Sequence, residues 1–248
     1  MRLYCMRFLY NKSAILHRNA IIIGDVHFGM EERLREEGIY DETLSERIFN
    51  DIKKLILKTG AKKLIIAGDV KDNILELDWK TLDILRRLSQ IASITIIKGN
   101  HDGGIEKCET FGITIAPAGG IVYEKIGIMH GHSWPNENLM KCNYLISAHQ
   151  HPQVAFIDRS GRIHKEAVWL VAEPDRKNIK KHYKMFNERI RLVMMPAFNP
   201  LVGSTINIRK EKQLGPVFNN KLFKLNDALV IRLDGCLVGK LKDINIKE

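Results

Sequence analysis

Three times in the first hundred residues a short β-branched run stops at a glycine followed by an acidic or amide residue: Ile21-Ile-Ile-Gly-Asp25, Leu64-Ile-Ile-Ala-Gly-Asp69 and Ile94-Thr-Ile-Ile-Lys-Gly-Asn100. Each reads as a buried strand ending in a functional turn, because short continuous apolar runs bounded by glycine suit strands covered on both faces. Between the first two, Asp41 is the expected N-cap, Leu44, Ile48, Ile52, Leu55 and Ile56 keep helical spacing, and Gly60 closes the helix. Between the second and third, Trp79, Leu82, Leu85 and Leu88 repeat the pattern. The order βαβαβ predicts a parallel sheet with its strand C-termini on one edge. After residue 112 the helical periodicity fades. Strand-like runs follow at 113–116, 121–123, 126–129, 144–146, 154–157, 168–171, 192–195 and 229–233, which predicts a second sheet packed on the first.

At 248 residues and 45% hydrophobic content, the chain can bury a core of its own and is read as one α/β domain over 1–248. A basic excursion is expected at 173–190, where Arg176, Lys177, Lys180, Lys181 and Lys184 cluster. Disorder and collagen-like repeats are excluded by the same composition, and no apolar run approaches the roughly 20 residues that span a bilayer. Met1-Arg-Leu-Tyr-Cys shows no leader pattern. Cys5, Cys108, Cys142 and Cys236 form no Cys-x-x-Cys pair, so they are expected to be small core residues in a reducing cytoplasm.

Charge is unevenly spread. Residues 1–155 hold 20 basic and 19 acidic side chains, whereas 156–248 hold 19 and 10. A lopsided basic surface suits a polyanionic partner such as DNA or RNA, although lysine also serves solubility. Within the basic cluster, Tyr183 and Phe186 could stack on bases or form the apolar stripe that docks a helix.

Of nine histidines, six fall in compact motifs: His27 in Asp-Val-His, His101 in Gly-Asn-His-Asp, His130 and His132 in His-Gly-His, and His149 and His151 in His-Gln-His. Alternate residues of an extended segment project to one side, so Asp25 with His27, and His149 with His151, can converge on one point. Imidazoles, carboxylates and an amide oxygen suit first-row divalent ions, and Asp69 could give one oxygen to each of two. Two such ions about 3.5–4 Å apart can hold a bridging hydroxide and stabilise both attacking and leaving oxygens of an in-line displacement, which is phosphoester chemistry.

The ordered set Asp-x-His, Gly-Asp, Gly-Asn-His-Asp, His, His-x-His resembles the calcineurin-like metallophosphoesterases. That resemblance implies a four-layer α/β/β/α sandwich. It also implies one metal on Asp25, His27, Asp69 and His151, and another on Asp69, Asn100, His130 and His149. His101 matches the family's catalytic histidine that is not a ligand, and Asp102 would orient its ring. Ala148 stands where the family carries Gly, and His132 is extra to the core pattern, expected to be structural rather than a ligand.

Gly24-Asp-Val-His-Phe-Gly with Arg33-Leu-Arg-Glu-Glu-Gly38, and Met194-Met-Pro-Ala-Phe-Asn-Pro-Leu-Val-Gly203, resemble archaeal phosphoesterases related to SbcD and bacterial ligase-associated PdeM nucleases. This closer likeness implies a metal-dependent phosphodiesterase or nuclease that uses manganese, with iron, zinc or nickel as alternatives. PdeM relatives carry Arg after Asn-His-Asp, where this chain has Gly103-Gly104. The long C-terminal extension of SbcD-type exonucleases is outside the likeness, so their duplex-end processing is not carried over. Arg33 and Arg35 follow the first metal motif and are expected to contact substrate phosphate. Pro196-Ala-Phe198 is expected to be a packed turn. The expected activity is phosphodiester hydrolysis, most naturally in nucleic acid, with His101 assisting the leaving group. Its rivals are a phosphodiesterase for cyclic or dinucleotide substrates and a noncatalytic scaffold that keeps the fold.

Overall fold

Ile21 and Ile23 point to one side of their strand and Ile22 to the other, and all are fully buried, so this strand is covered on both faces. The computed structural model describes residues 2–3, 6–157, 160–205 and 215–244; Cys5 lies outside them. In the first sheet, β1 (Arg2–Leu3), β2 (Met6–Phe8), β3 (Ile15–His17) and β4 (Ala20–Ile23) form an antiparallel meander. Next to β4, strands β5 (Lys63–Ile66), β6 (Ser93–Ile97) and β7 (Thr114–Ala116) run parallel to it. The parallel core matches the apolar runs. The meander ahead of β4 was not legible, because β2 and β3 are three residues each, too short for alternation to register.

Helices α1 (Glu31–Glu36) and α2 (Leu44–Thr59) follow β4, and α3 (Trp79–Ser89) follows β5. Helix α2 ends as expected at Gly60 in the left-handed region, φ 67°. Its N-cap position is Thr43 rather than Asp41, whose carboxylate instead accepts from the Thr43 N–H at 3.2 Å and from Arg47. In α3 the buried face is Thr81, Ile84, Leu85 and Leu88, while Trp79 at the first turn is 74% exposed. Asp78 caps this helix by accepting from Thr81 N at 2.8 Å.

The second sheet runs in the order β14 (Ser204–Thr205), β11 (Pro152–Ile157), β12 (Ile163–Ala172), β13 (Arg191–Met194), β10 (Tyr144–Ser147), β9 (Ile126–Met129), β8 (Ile121–Tyr123). Strand β15 (Leu229–Arg232) also pairs with β12, and β16 (Leu237–Lys240) with β15. Ile22, Ile65 and Ile97 of the first sheet pack against Ile128, Ile146, Trp169 and Val193 of the second. The opposite face of the second sheet, including Leu145, Leu170 and Leu192, is covered by Ile179, Tyr183, Ile190, Val217 and Phe218. Three of these come from the short helices α4 (Arg176–Ile179) and α5 (Pro216–Asn219). Two sheets face to face with helices outside each make the α/β/β/α sandwich.

Residues 173–190 therefore carry part of the outer layer. Tyr183 is buried with its hydroxyl donating to Pro135 O at 2.8 Å, and Phe186 is partly buried against the same cluster, so these rings form an apolar stripe and not a stacking surface. The segment's position follows from register. Ala172, which precedes it, pairs with Leu192 at the start of β13, whose neighbour Arg191 pairs with Tyr144 at the start of β10. The basic cluster thus sits at the edge where β10 and β13 begin. Cys108 and Cys142 are buried, whereas Cys236 is exposed, contrary to a core role. No helix among the described residues is long and apolar enough to cross a membrane.

Candidate dinuclear metal centre

The C-termini of β4, β5, β6, β9 and β10 deliver Asp25 and His27, Asp69, Asn100 and His101, His130, and His149 and His151 to one edge of the sandwich. The backbone there is not extended. Asp25, His27, Asp69, His149 and His151 all have positive φ, between 45° and 71°. A non-glycine side chain in this region costs about 1–3 kcal/mol, so the surrounding contacts must hold each one in place. Convergence of the Asp-x-His and His-x-His pairs comes from these tight left-handed turns, a correction to the extended geometry expected from the spacing. The turns are tied together: Val26 and His27 N–H both donate to Asp69 O at 3.0 Å, and Asp25 N–H to Gly68 O at 3.1 Å.

Two donor sets result. Asp25, His27, Asp69 and His151 each present one ligand atom within 4.8 Å of the others, and so do Asp69, His130 and His149. Asp69 belongs to both. Its Oδ1 accepts the His101 N–H at 3.0 Å, while Oδ2 lies 3.8 Å from His27 Nε2 and 3.3 Å from His130 Nε2. Asn100 Oδ1 joins the second set at 3.1 Å from His130 Nε2. Close glycines make room: a Cβ on Gly99 would lie 2.2 Å from Asp69 Oδ1, and one on Gly68 2.5 Å from the His130 ring. The Ala148 methyl fills the space that a Cβ on Gly24 would need, at 2.7 Å, so the alanine in place of the family's glycine is accommodated by a glycine opposite.

Electrostatics fit a cation in each set. His130 Nδ1 lies 2.9 Å from Ala67 O, which fixes that nitrogen as the N–H and leaves Nε2 facing two oxygens, Asp69 Oδ2 and Asn100 Oδ1. Something positive is needed between them. Without a metal that is a proton: burial alone would lower the His130 pKa, but the hydrogen bond to Asp69 and the charges of Asp25 and Asp69 push it up to about 9. Burial would likewise raise Asp25 and Asp69, yet His151 and His130 respectively, with further imidazoles, hold both below the usual carboxylate range. His149, desolvated and beside His130, is pushed down to about 4 and is neutral at pH 7, the form that binds a metal. In the first set, His27 Nε2 and His151 Nε2 are buried without any hydrogen bond, as ligand nitrogens facing a cation would be.

The other expected site residues divide. His101 packs perpendicular to His27, ring centroids 5.1 Å apart, with Nδ1 2.7 Å from Asp72 O, so Nε2 is the nitrogen left to act. Asp102 makes no hydrogen bond to that ring, a correction to its expected role. It is buried, its pKa raised by desolvation, and its carboxylate accepts Val70 N at 2.8 Å and Gly99 N at 2.7 Å, clamping the loops that follow β5 and β6. Arg33 reaches the wall of the neighbouring cavity but gives two N–H groups to Asp72, both at 3.0 Å. Arg35 pairs with Glu42 at 3.2 Å and does not line the cavity. The segment is helix α1 rather than a loop, and residues two apart on a helix point to different faces. His132 lies outside both donor sets, its ring 5.2 Å from that of His130. Phe198 is buried in the first core, in line with a packed turn.

Three supporting residues escaped the motif reading. Asp72 sets the His101 ring through its carbonyl and places Oδ1 3.2 Å from His27 Nδ1. Lys71 is fully buried and donates to Asn73 O and to Ile74 O, the latter at 2.8 Å. Asn199, also buried, donates through its side chain to Val26 O at 3.1 Å, and its N–H goes to Asp25 O. Their signal was there as Asp69-Val-Lys-Asp72 and Phe198-Asn-Pro200, polar residues attached to motifs already noted.

Residues 19–191 match the family of calcineurin-like phosphoesterases. Among solved structures, the chain is similar to the nuclease MPE of Pseudomonas putida, at 18% identity over 91% of each chain with a TM-score of 0.58, a likeness of fold. It is also similar to Yfce, a phosphoesterase from E. coli, at 16% identity over 91% of this chain and 99% of that one, with a TM-score of 0.40. No curated protein matches the sequence.

Proposed function

Because the chain belongs to the calcineurin-like phosphoesterase family and is thus a metal-dependent phosphoester hydrolase, we propose that it hydrolyses phosphodiesters, with nucleic acid as the substrate class. The observation that carries this reading is the pair of donor sets joined by one carboxylate, Asp69. Asp25, His27, Asp69 and His151 would hold one divalent ion, and Asp69, Asn100, His130 and His149 the other. Manganese suits this mixed nitrogen and oxygen set, as do iron, zinc and nickel. Such a pair supplies a nucleophile at neutral pH and polarises the phosphoryl oxygens.

The chain's own residues do the rest. Asp72 O fixes the His101 ring so that Nε2 can protonate the departing oxygen. Asp102 and Asn199 hold the ligand turns in place through the backbone. Arg33, tied to Asp72, lines the cavity at the site and could turn to a phosphate only by giving up that pair. Arg35 has no part in this reading.

A second reading, a small-molecule phosphodiesterase acting on cyclic or dinucleotide substrates, is favoured by the placement of the basic segment at the edge where β10 and β13 begin, away from the ligands. The deciding experiment assays metal-stripped protein with added manganese on bis-p-nitrophenyl phosphate, p-nitrophenyl phosphate, cyclic nucleotides and single- and double-stranded DNA. Turnover of the diester above the monoester is expected. A preference for the monoester would overturn the phosphodiesterase reading, and cyclic nucleotides ranking above DNA would favour the second.

A further inference from the structure

Beside the first donor set lies a cavity of about 680 Å³ whose composition the metal chemistry leaves unused. His27, His101 and His151 form its inner wall, while His130 and His149 do not line it, so it opens on the His101 side of the centre. An alcohol that took its proton from His101 Nε2 would leave into this space.

The charges there are lopsided. Among the described residues Arg33 is the cation of the lining, and it is neutralised by its two bonds to Asp72. Glu32 and Glu36, one turn apart on α1 and both exposed, also line the cavity and have no ion pair with a described residue. Asn73, whose Oδ1 is taken up by the Leu75 and Glu76 N–H groups, and two glycines complete the wall with aliphatic side chains. Ile74, Leu75 and Leu201 are 53%, 89% and 54% exposed around it, an unusual amount of bare hydrocarbon beside a polar centre. Carboxylates without cations repel a phosphate, and hydrocarbon is a poor partner for one, whereas a flat neutral ring covers such a wall.

We propose that this cavity is a leaving-group subsite that accepts an uncharged alcohol with a flat or apolar body, such as a terminal nucleoside, and rejects one that bears a further phosphate. The inference rests on the phosphodiesterase reading and narrows it, because the bond cleaved is then the last of a strand or the lone diester of a small molecule. Hydrolysis adds water across that bond. Phosphorus gains the water oxygen, the ester P–O bond breaks with its electron pair on the leaving oxygen, and that oxygen takes a proton from His101. The proton lost by water restores the imidazole.

The test uses manganese-loaded protein on thymidylyl-thymidine and on its 5′-phosphorylated and 3′-phosphorylated forms. Whichever form puts its phosphate in the cavity should show kcat/KM lower by about tenfold, and 0.5 M salt should narrow the gap because these charges are exposed and screened. The double variant Glu32→Gln/Glu36→Gln should narrow the same ratio. Binding gives a readout without turnover: in metal-free protein, thymidine should shift the His101 ring signals in NMR at lower concentration than its monophosphates, and the double variant should reduce that difference. Ratios within twofold for all three dimers, or a gap and a binding difference that the double variant leaves untouched, would overturn the subsite. If bis-p-nitrophenyl phosphate is turned over and the ratios are flat, the subsite alone fails. Absence of any diester turnover removes both readings.

Discussion

Each oxygen of Asp69 has its own neighbours: Oδ1 holds the His101 N–H, and Oδ2 faces His27 and His130. An amide at this position would be a poor bridge between two dications, so Asp69→Asn is expected to lose both metal and turnover. Metal analysis after desalting checks this; two retained equivalents with normal activity would show that Asp69 is not the bridge. His101 lies outside both donor sets, so His101→Asn should keep its metals yet lose roughly 10² to 10⁴ in turnover. That loss should be smaller for p-nitrophenyl than for alkyl esters, since a good leaving group needs little protonation; equal losses would point to charge stabilisation instead. Asp102 acts on stability. Its two oxygens each accept a buried backbone N–H, and Asn has only one acceptor oxygen, so Asp102→Asn should cost about 1–3 kcal/mol in denaturant unfolding of the metal-free protein. An unchanged midpoint would mean that the loops do not depend on this clamp.

At the scale of elements, short strands aim the candidate ligands and tight turns place them. The turns after β4, β5 and β10 run through left-handed residues, and glycine at 99 lets the turn after β6 lie against Asp69. In Gly99→Ala the new methyl would meet the Asp69 carboxylate and backbone nitrogen at 2.2 and 2.3 Å. One of the two turns must move, so metal affinity should fall at least as sharply as thermal stability, measured by chelator competition alongside Tm. Wild-type affinity would show that the turns yield freely. Helical periodicity and end signals found α2 and α3, because their apolar faces repeat over three turns or more. They missed α1, whose six residues bury only Glu31 and Leu34, too few for a period. That miss put Arg35 on the wrong side.

Across the whole molecule, candidate ligands and basic segment occupy opposite edges of the second sheet, for β9 and β10 deliver histidines at their C-termini while Arg176 to Lys184 follow Ala172 beside the start of β13. Replacing Arg176, Lys177, Lys180, Lys181 and Lys184 by Gln, with Ile179 and Tyr183 left to hold the outer layer, should therefore leave turnover of bis-p-nitrophenyl phosphate unchanged. The salt dependence of short-DNA binding should also stay at its wild-type slope. A fall of roughly 0.7–0.9 in the log–log slope per replaced residue would show instead that a strand reaches around to this edge.

What the sequence determined by itself was whatever depends on near neighbours and on chemistry. Continuous apolar runs marked the buried parallel strands, and histidines and carboxylates beside glycine marked the ends where a metal could be held, because a fully covered strand must be apolar and first-row divalent cations are held by nitrogen and oxygen donors. The resemblance those motifs carry supplied the layering. Only tertiary structure decided which groups face each other. Asp25 accepts the His149 N–H from 124 residues away, and His130 meets Ala67 O from 63 away, contacts that no local period encodes. The same holds for Asp102 as a clamp between loops, for Asp72 as the support of His101, and for Tyr183 as part of a core. In each case the side chain's role was set by the element packed against it, which the chain supplies from a distant stretch of sequence.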